Sequence, residues 1–119
     1  MKLRKSDRLF REYMLKLKGY KCARCGKVYT EDNCRGLHVS HYWGRARENT
    51  RHDVDNCDLL CYGCHQIWGH GDGRGEYTTY MLNKLGGHAM EMLELRAHTT
   101  KKKDERLDEV VIKELLKEV

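Results

Sequence analysis

Six side chains in the middle of the chain have the types and spacing to do chemistry together. Cys22 and Cys25 form one CxxC pair, and Cys61 and Cys64 form a second. His41 lies between the pairs, and His65 directly follows Cys64. Two short-spaced cysteine pairs match the demand of zinc for four tetrahedral ligands, because each CxxC turn offers two sulfurs to one ion. The 35 residues between the pairs exceed what a compact zinc ribbon needs, so a segment holding His41 is inserted between two knuckles. Zinc is read as the scaffold and the histidines as the groups it positions. The competing reading, a disulfide framework, is set aside: MKLRKSDRLF lacks the apolar core of a signal peptide, and a cytoplasmic location keeps thiols reduced. Cys34 and Cys57 are unmatched and read as free structural thiols.

These groups need elements to hold them. Ser6 or Asp7 is placed to cap a helix carrying Leu9, Phe10, Tyr13, Met14 and Leu17 on one face, with Gly19 as its stop. Residues 20–29 form the first knuckle, where Gly26 permits a tight turn. A polar loop leads to a strand over Leu37–Tyr42, ended by Trp43-Gly44. Arg45–Asp55 has no apolar periodicity and reads as a surface loop. A second strand over Cys57–Leu60 runs into the second knuckle, and His65 opens a short helix to Trp68. Gly69, Gly71, Gly73 and Gly75 break regular structure before helices at Thr78–Leu85, Gly87–His98 and Asp104–Glu118. The fold class expected is α+β, a small zinc-stabilised core (20–70) between a basic N-terminal helix (1–19) and a helical extension (76–119), all one domain.

At 119 residues, a chain with so small a core benefits from a metal staple. The net charge is +5, but residues 1–30 hold ten Lys/Arg against Asp7 and Glu12, whereas the stretch from Glu91 onward is nearly balanced. A basic front half beside a metal site points to a polyanion, most simply nucleic acid. No apolar run is long enough to span a bilayer, so no membrane partner is expected.

The order strand, arginine loop, strand, knuckle, helix, with His41, Asn56 and His65 at their spacings, resembles the HNH endonucleases with a ββα-metal (His-Me finger) core. Asn56 is followed by four residues, Cys61, two residues, Cys64 and His65, which is the spacing of that motif. Ser40-His41-Tyr42, Arg51, Asn56 and the knuckle are similar, more narrowly, to the lambdoid phage Rap-type recombination endonucleases, which act on branched DNA.

The resemblance implies a divalent-metal-dependent hydrolysis of DNA phosphodiester bonds, duplex or branched, in a phage- or mobile-element-encoded protein of a bacterial host. A neutral imidazole is suited to deprotonating water near neutral pH, and His41 is assigned as that general base. His65 is assigned as ligand to a catalytic Mg²⁺, Mn²⁺ or Ni²⁺, with His38 as a second candidate ligand because it shares a strand face with Ser40. Asn56 is assigned to hold the backbone around His41. Arg45, Arg47 and Arg51 are assigned to DNA phosphates. Many members of the family carry an acidic ligand where this chain has Ser40. Two alternatives therefore stand beside the nuclease: a zinc-stabilised DNA-binding module with a decayed nuclease site, and a zinc module for protein interaction. The apolar positions Leu107, Val110, Val111, Leu115 and Leu116 make a homodimer conceivable.

Overall fold

The computed structural model describes residues 2–119. Five helices and two strands follow in the order α1 (Lys5–Lys18), β1 (Leu37–His41), β2 (Cys57–Cys61), α2 (Tyr62–Gly69), α3 (Arg74–Leu85), α4 (Gly87–Ala97) and α5 (Glu105–Leu116). Short 3₁₀ turns lie at Glu48–Thr50 and Gly71–Gly73. The architecture is α+β, with one two-stranded sheet among the described residues.

The strands pair antiparallel, with Leu37 opposite Cys61, Val39 opposite Leu59 and His41 opposite Cys57. Side chains alternate across a strand, so His38, Ser40, Asp58 and Leu60 share one face. The outer edge of β2 is occupied by the first knuckle, whose Ala23 N–H donates to the Leu59 carbonyl (2.8 Å). β1 is thus left as an edge strand, and groups from both of its faces can reach one cleft.

The helix α1 begins earlier than its expected caps. Arg4 precedes the first helical residue, and Asp7 sits in the first turn, where its Oδ2 accepts the Arg4 N–H (2.8 Å). Phe10, Met14 and Leu15 are buried, whereas Leu17 is 42 % exposed, against the expectation from periodicity. Full burial of Phe10 and Met14 contributes roughly 1.5–3 kcal/mol each.

On the other face, Trp68 of α2 stacks on Tyr77 of α3 (4.4 Å between centroids). The Asp58 carboxylate is held there by the Tyr80 hydroxyl and the Lys84 ammonium, both at 2.8 Å. α2 starts three residues before His65, so Cys64 lies inside the helix rather than ahead of it. The glycine-rich stretch does not stay irregular, because α3 already begins at Arg74. Gly73 is required at the α2–α3 corner, since a Cβ there would overlap the Ile67 carbonyl.

The helix α5 is capped by Asp104, which accepts the Leu107 N–H (3.1 Å), and it packs on α1 with Ile112 buried. Leu107, Val110 and Val111 face outward. No helix among the described residues is long and apolar enough to cross a membrane.

Candidate metal centre and histidine cleft

The two knuckles bring Cys22, Cys25, Cys61 and Cys64 together, with their sulfurs within 4.8 Å of one another and Cys25 Sγ 3.8 Å from Cys61 Sγ. Zn–S bonds of about 2.3 Å in a tetrahedron place sulfurs about 3.8 Å apart, so the donor set and its spacing fit zinc. The turn that makes this possible passes through Gly26 at φ 79°, where its N–H bonds the Cys22 carbonyl (3.0 Å). Burial works to raise the Cys22 thiol, but backbone N–H groups of Cys25, Cys61 and Arg24 outweigh it and hold it at about 6. Cys64 moves the other way through burial, and a bound cation would keep both deprotonated. Outside the sulfurs, Arg24 donates to Cys64 Sγ (3.5 Å) and forks onto Glu76, which also accepts from Trp68 Nε1 (2.8 Å). The knuckle, α2 and α3 are tied together by that chain of bonds.

His65 projects from α2 one residue past this clamp and meets His38 of β1. Their Nδ1 atoms are 3.2 Å apart, with the rings nearly perpendicular (79°). Two imidazole nitrogens each about 2.0–2.1 Å from one ion would be separated by about 2.8–3.4 Å at coordination angles between 90° and tetrahedral, so the pair fits a shared cation. With no ion, one ring donates to the other. Burial, then the charges of His38, His70 and Arg45, lower the His65 pKa and favour its neutral, ligating form.

The ring of His41 lies in the same cleft, which has a volume of about 400 Å³ and is also lined by Arg11, Arg35 and Arg45. His41 Nε2 is 2.8 Å from the Arg51 carbonyl. A carbonyl only accepts, so Nε2 carries the proton and Nδ1 keeps the lone pair. Burial lowers the His41 pKa to about 4, with the Arg51 carbonyl opposing it and the neighbouring Arg45 and His52 adding to it.

Asn56, fully buried, holds the loop that supplies this carbonyl. Its Nδ2 donates to the Trp43 and Thr50 carbonyls (2.9 and 3.0 Å), and its Oδ1 accepts the Trp43 N–H (2.8 Å). Trp43 lies two residues beyond His41 and Thr50 one residue before Arg51, so both ends of the His41 contact are fixed by one amide.

Among known proteins, the chain is similar to two Salmonella proteins bearing the name "Putative HNH nuclease YajD", from Salmonella typhimurium and Salmonella typhi. Each is 38 % identical over 56 residues, which is 47 % of this chain and 48 % of the relative. The chain therefore spans about half the length of the curated relatives it matches. No family model and no solved structure matches it. The likeness supports the HNH family and goes no finer.

The arginines do not behave as a set. Arg45 lines the cleft. Arg47 turns away, over the Trp43 ring (5.4 Å) and toward the Ala97 carbonyl (3.4 Å). Arg51 is 1 % exposed and forks onto Asp7, with Nε–Oδ1 2.9 Å and Nη2–Oδ2 2.6 Å, so its assignment to DNA phosphate is corrected. An isolated arginine in a polar loop gives no sign of this, because its partner lies 44 residues earlier. Ser40 also points inward, bonding the Tyr77 hydroxyl (3.0 Å) instead of the cleft. His38, on the same face two residues earlier, occupies the position opposite His65. Arg35 was not singled out by sequence reasoning, since nothing in its polar loop signals that the chain folds it against the histidines.

Proposed function

We propose that this chain is a metal-dependent endonuclease of the HNH kind, hydrolysing DNA phosphodiester bonds on a zinc-clamped scaffold. The observation that carries the reading is the contact of His41 Nε2 with the Arg51 carbonyl, which assigns the proton to Nε2, in a residue that lines the same cleft as the His38–His65 pair. His41 would take a proton from the attacking water at Nδ1. Asn56 would hold the loop so that the base does not swing away from the phosphate. His38 and His65 would hold a divalent cation, which when bound offsets charge on the phosphate and the leaving oxygen. Two imidazoles and no cleft carboxylate free of other partners suit Mn²⁺ or Ni²⁺ better than Mg²⁺. Arg35 and Arg45 would meet flanking phosphates. By its family resemblance the product would carry a 5′-phosphate and a 3′-hydroxyl.

A second reading has one observation in its favour. The carboxylate lining the cleft, Asp7, is committed to Arg51 and His52, and Ser40 faces Tyr77, so the acidic ligand usual in the family is missing. On that reading the chain binds DNA without cutting it.

Cleavage of supercoiled plasmid and of a synthetic four-way junction, with Mg²⁺, Mn²⁺, Ni²⁺ or EDTA, separates the two. Wild type should cut with a cation, and His41→Ala should lose about 10²–10⁴-fold in rate with zinc content intact. His38→Ala should raise the cation concentration needed. Retardation of DNA without cutting under every cation would select the binding module. Preference for the junction over linear duplex would favour the branched-DNA substrate, and sedimentation of the active species would show whether two copies act together.

A further inference from the structure

We propose that Asp7, in the first turn of α1, is a positioning residue for His41, acting through Arg51. Its kinetic part rests on the nuclease reading; its structural part does not.

Four donors converge on this one carboxylate. Arg51 supplies Nε and Nη2, His52 supplies Nε2 (2.9 Å) and Arg4 its backbone N–H (2.8 Å). Asp7 is 8 % exposed and Arg51 1 %, so the fork is shielded from water. The third arm of the guanidinium, Nη1, donates to the Arg45 carbonyl (3.0 Å), back at the start of the same loop. The carbonyl of Arg51 itself is the acceptor for His41 Nε2 (2.8 Å). The side chain of Arg51 is thus anchored to a helix, while its main chain sets which nitrogen of His41 carries the proton.

Asn56 grips the preceding residue through the Thr50 carbonyl. The Thr50–Arg51 step is therefore held from two directions, by an amide from the end of its own loop and by a carboxylate from a helix more than forty residues earlier. The first grip belongs to the motif already described; the second comes from outside it. Burying a bidentate ion pair is an inefficient way to gain stability, because desolvation of both ions offsets most of the attraction. A rigid planar fork does define where a backbone lies far better than an apolar contact would. Placement of a carbonyl beside a base is a use that matches this property.

Two readouts test it on the full zinc-loaded chain: the tautomer of His41 by nitrogen-15 imidazole spectra, and steady-state cleavage with the best cation. Wild type should show His41 protonated at Nε2 alone. Asp7→Asn, close in size and the variant best able to fold, and Arg51→Lys, which keeps charge but not the fork, should both show mixed His41 tautomers. Both should lower kcat about 10–100-fold with KM changed much less. Ile112→Ala, in the α1–α5 contact, serves as a variant destabilised elsewhere and should keep a single tautomer. The inference is overturned if Asp7→Asn and Arg51→Lys keep His41 purely in the Nε2–H form, or if their rates fall only in step with the folded fraction as for Ile112→Ala. If wild type cuts no DNA with any cation, the nuclease reading fails, and the imidazole spectra still decide the role of Asp7.

Discussion

Replacing Asn56 tests the loop architecture most directly. The side chain is 0 % exposed and makes three hydrogen bonds, two donated and one accepted. Asn56→Ala removes all three and leaves the Trp43 N–H and the Trp43 and Thr50 carbonyls without their partner. Neutral hydrogen bonds contribute about 1 kcal/mol each, and stranding buried partners adds to that, so a loss of about 3–4 kcal/mol is expected. Against a total of about 5–15 kcal/mol this is large, and it corresponds to a fall in Tm on the order of 10 °C or more. Asn56→Asp is the sharper variant, because it keeps the shape and the acceptor while turning the donor into a second acceptor facing two carbonyls. It should cost at least as much as Asn56→Ala at pH 7, and less below the carboxylate pKa, where the protonated acid donates again. The assay is urea unfolding followed by circular dichroism at fixed free zinc, since zinc bound to the native state alone shifts the apparent stability. A loss under 1 kcal/mol for Asn56→Ala, or an Asn56→Asp variant as stable as wild type at pH 7, would refute the view that one amide holds this loop.

Three further outcomes follow from the same geometry. His41 has its pKa lowered to about 4 in the folded chain against about 6.5 unfolded, so the native state binds fewer protons between these values. Its contribution is fully present above pH 6.5 and is lost as pH falls toward 4, by at most about 3 kcal/mol; urea unfolding of wild type and His41→Asn at pH 7, 5.5 and 4.5 should show the difference between them shrink accordingly. Gly73→Ala should destabilise by more than about 2 kcal/mol because its Cβ meets the Ile67 carbonyl, whereas Gly75→Ala, in open space within α3, should stabilise by about 0.5–1 kcal/mol; thermal melts of both decide it. Atomic emission should find one zinc per chain, lost in Cys61→Ala together with cooperative unfolding, while Cys34→Ala should keep both.

The local pattern of the chain carried much of the outcome. Two CxxC pairs have few uses other than a shared ion, and the sulfurs converge. The strands expected at Leu37–Tyr42 and Cys57–Leu60 end within a residue of the observed β1 and β2, because each is a short run bounded by turn or knuckle residues that cannot continue it. The apolar positions Leu107, Val110, Val111, Leu115 and Leu116 marked a last helix from Asp104, and the structure makes Asp104 its cap, one residue ahead of α5.

What escaped was decided over distance. Arg51 and Arg47 look alike in a polar loop, and only the fold puts Asp7 beside the first and the Ala97 carbonyl beside the second. Ser40 and His38 share a strand face, yet the packing of α3 buries one against Tyr77 while α2 brings His65 to the other. The glycines at 73 and 75 suggest an interruption by composition alone, but the first meets a neighbouring carbonyl and the second simply enters α3. Which residues have the chemistry is written in side-chain type and spacing. Which of them face the cleft, and which of them hold it in place, depends on partners tens of residues away that no local pattern encodes.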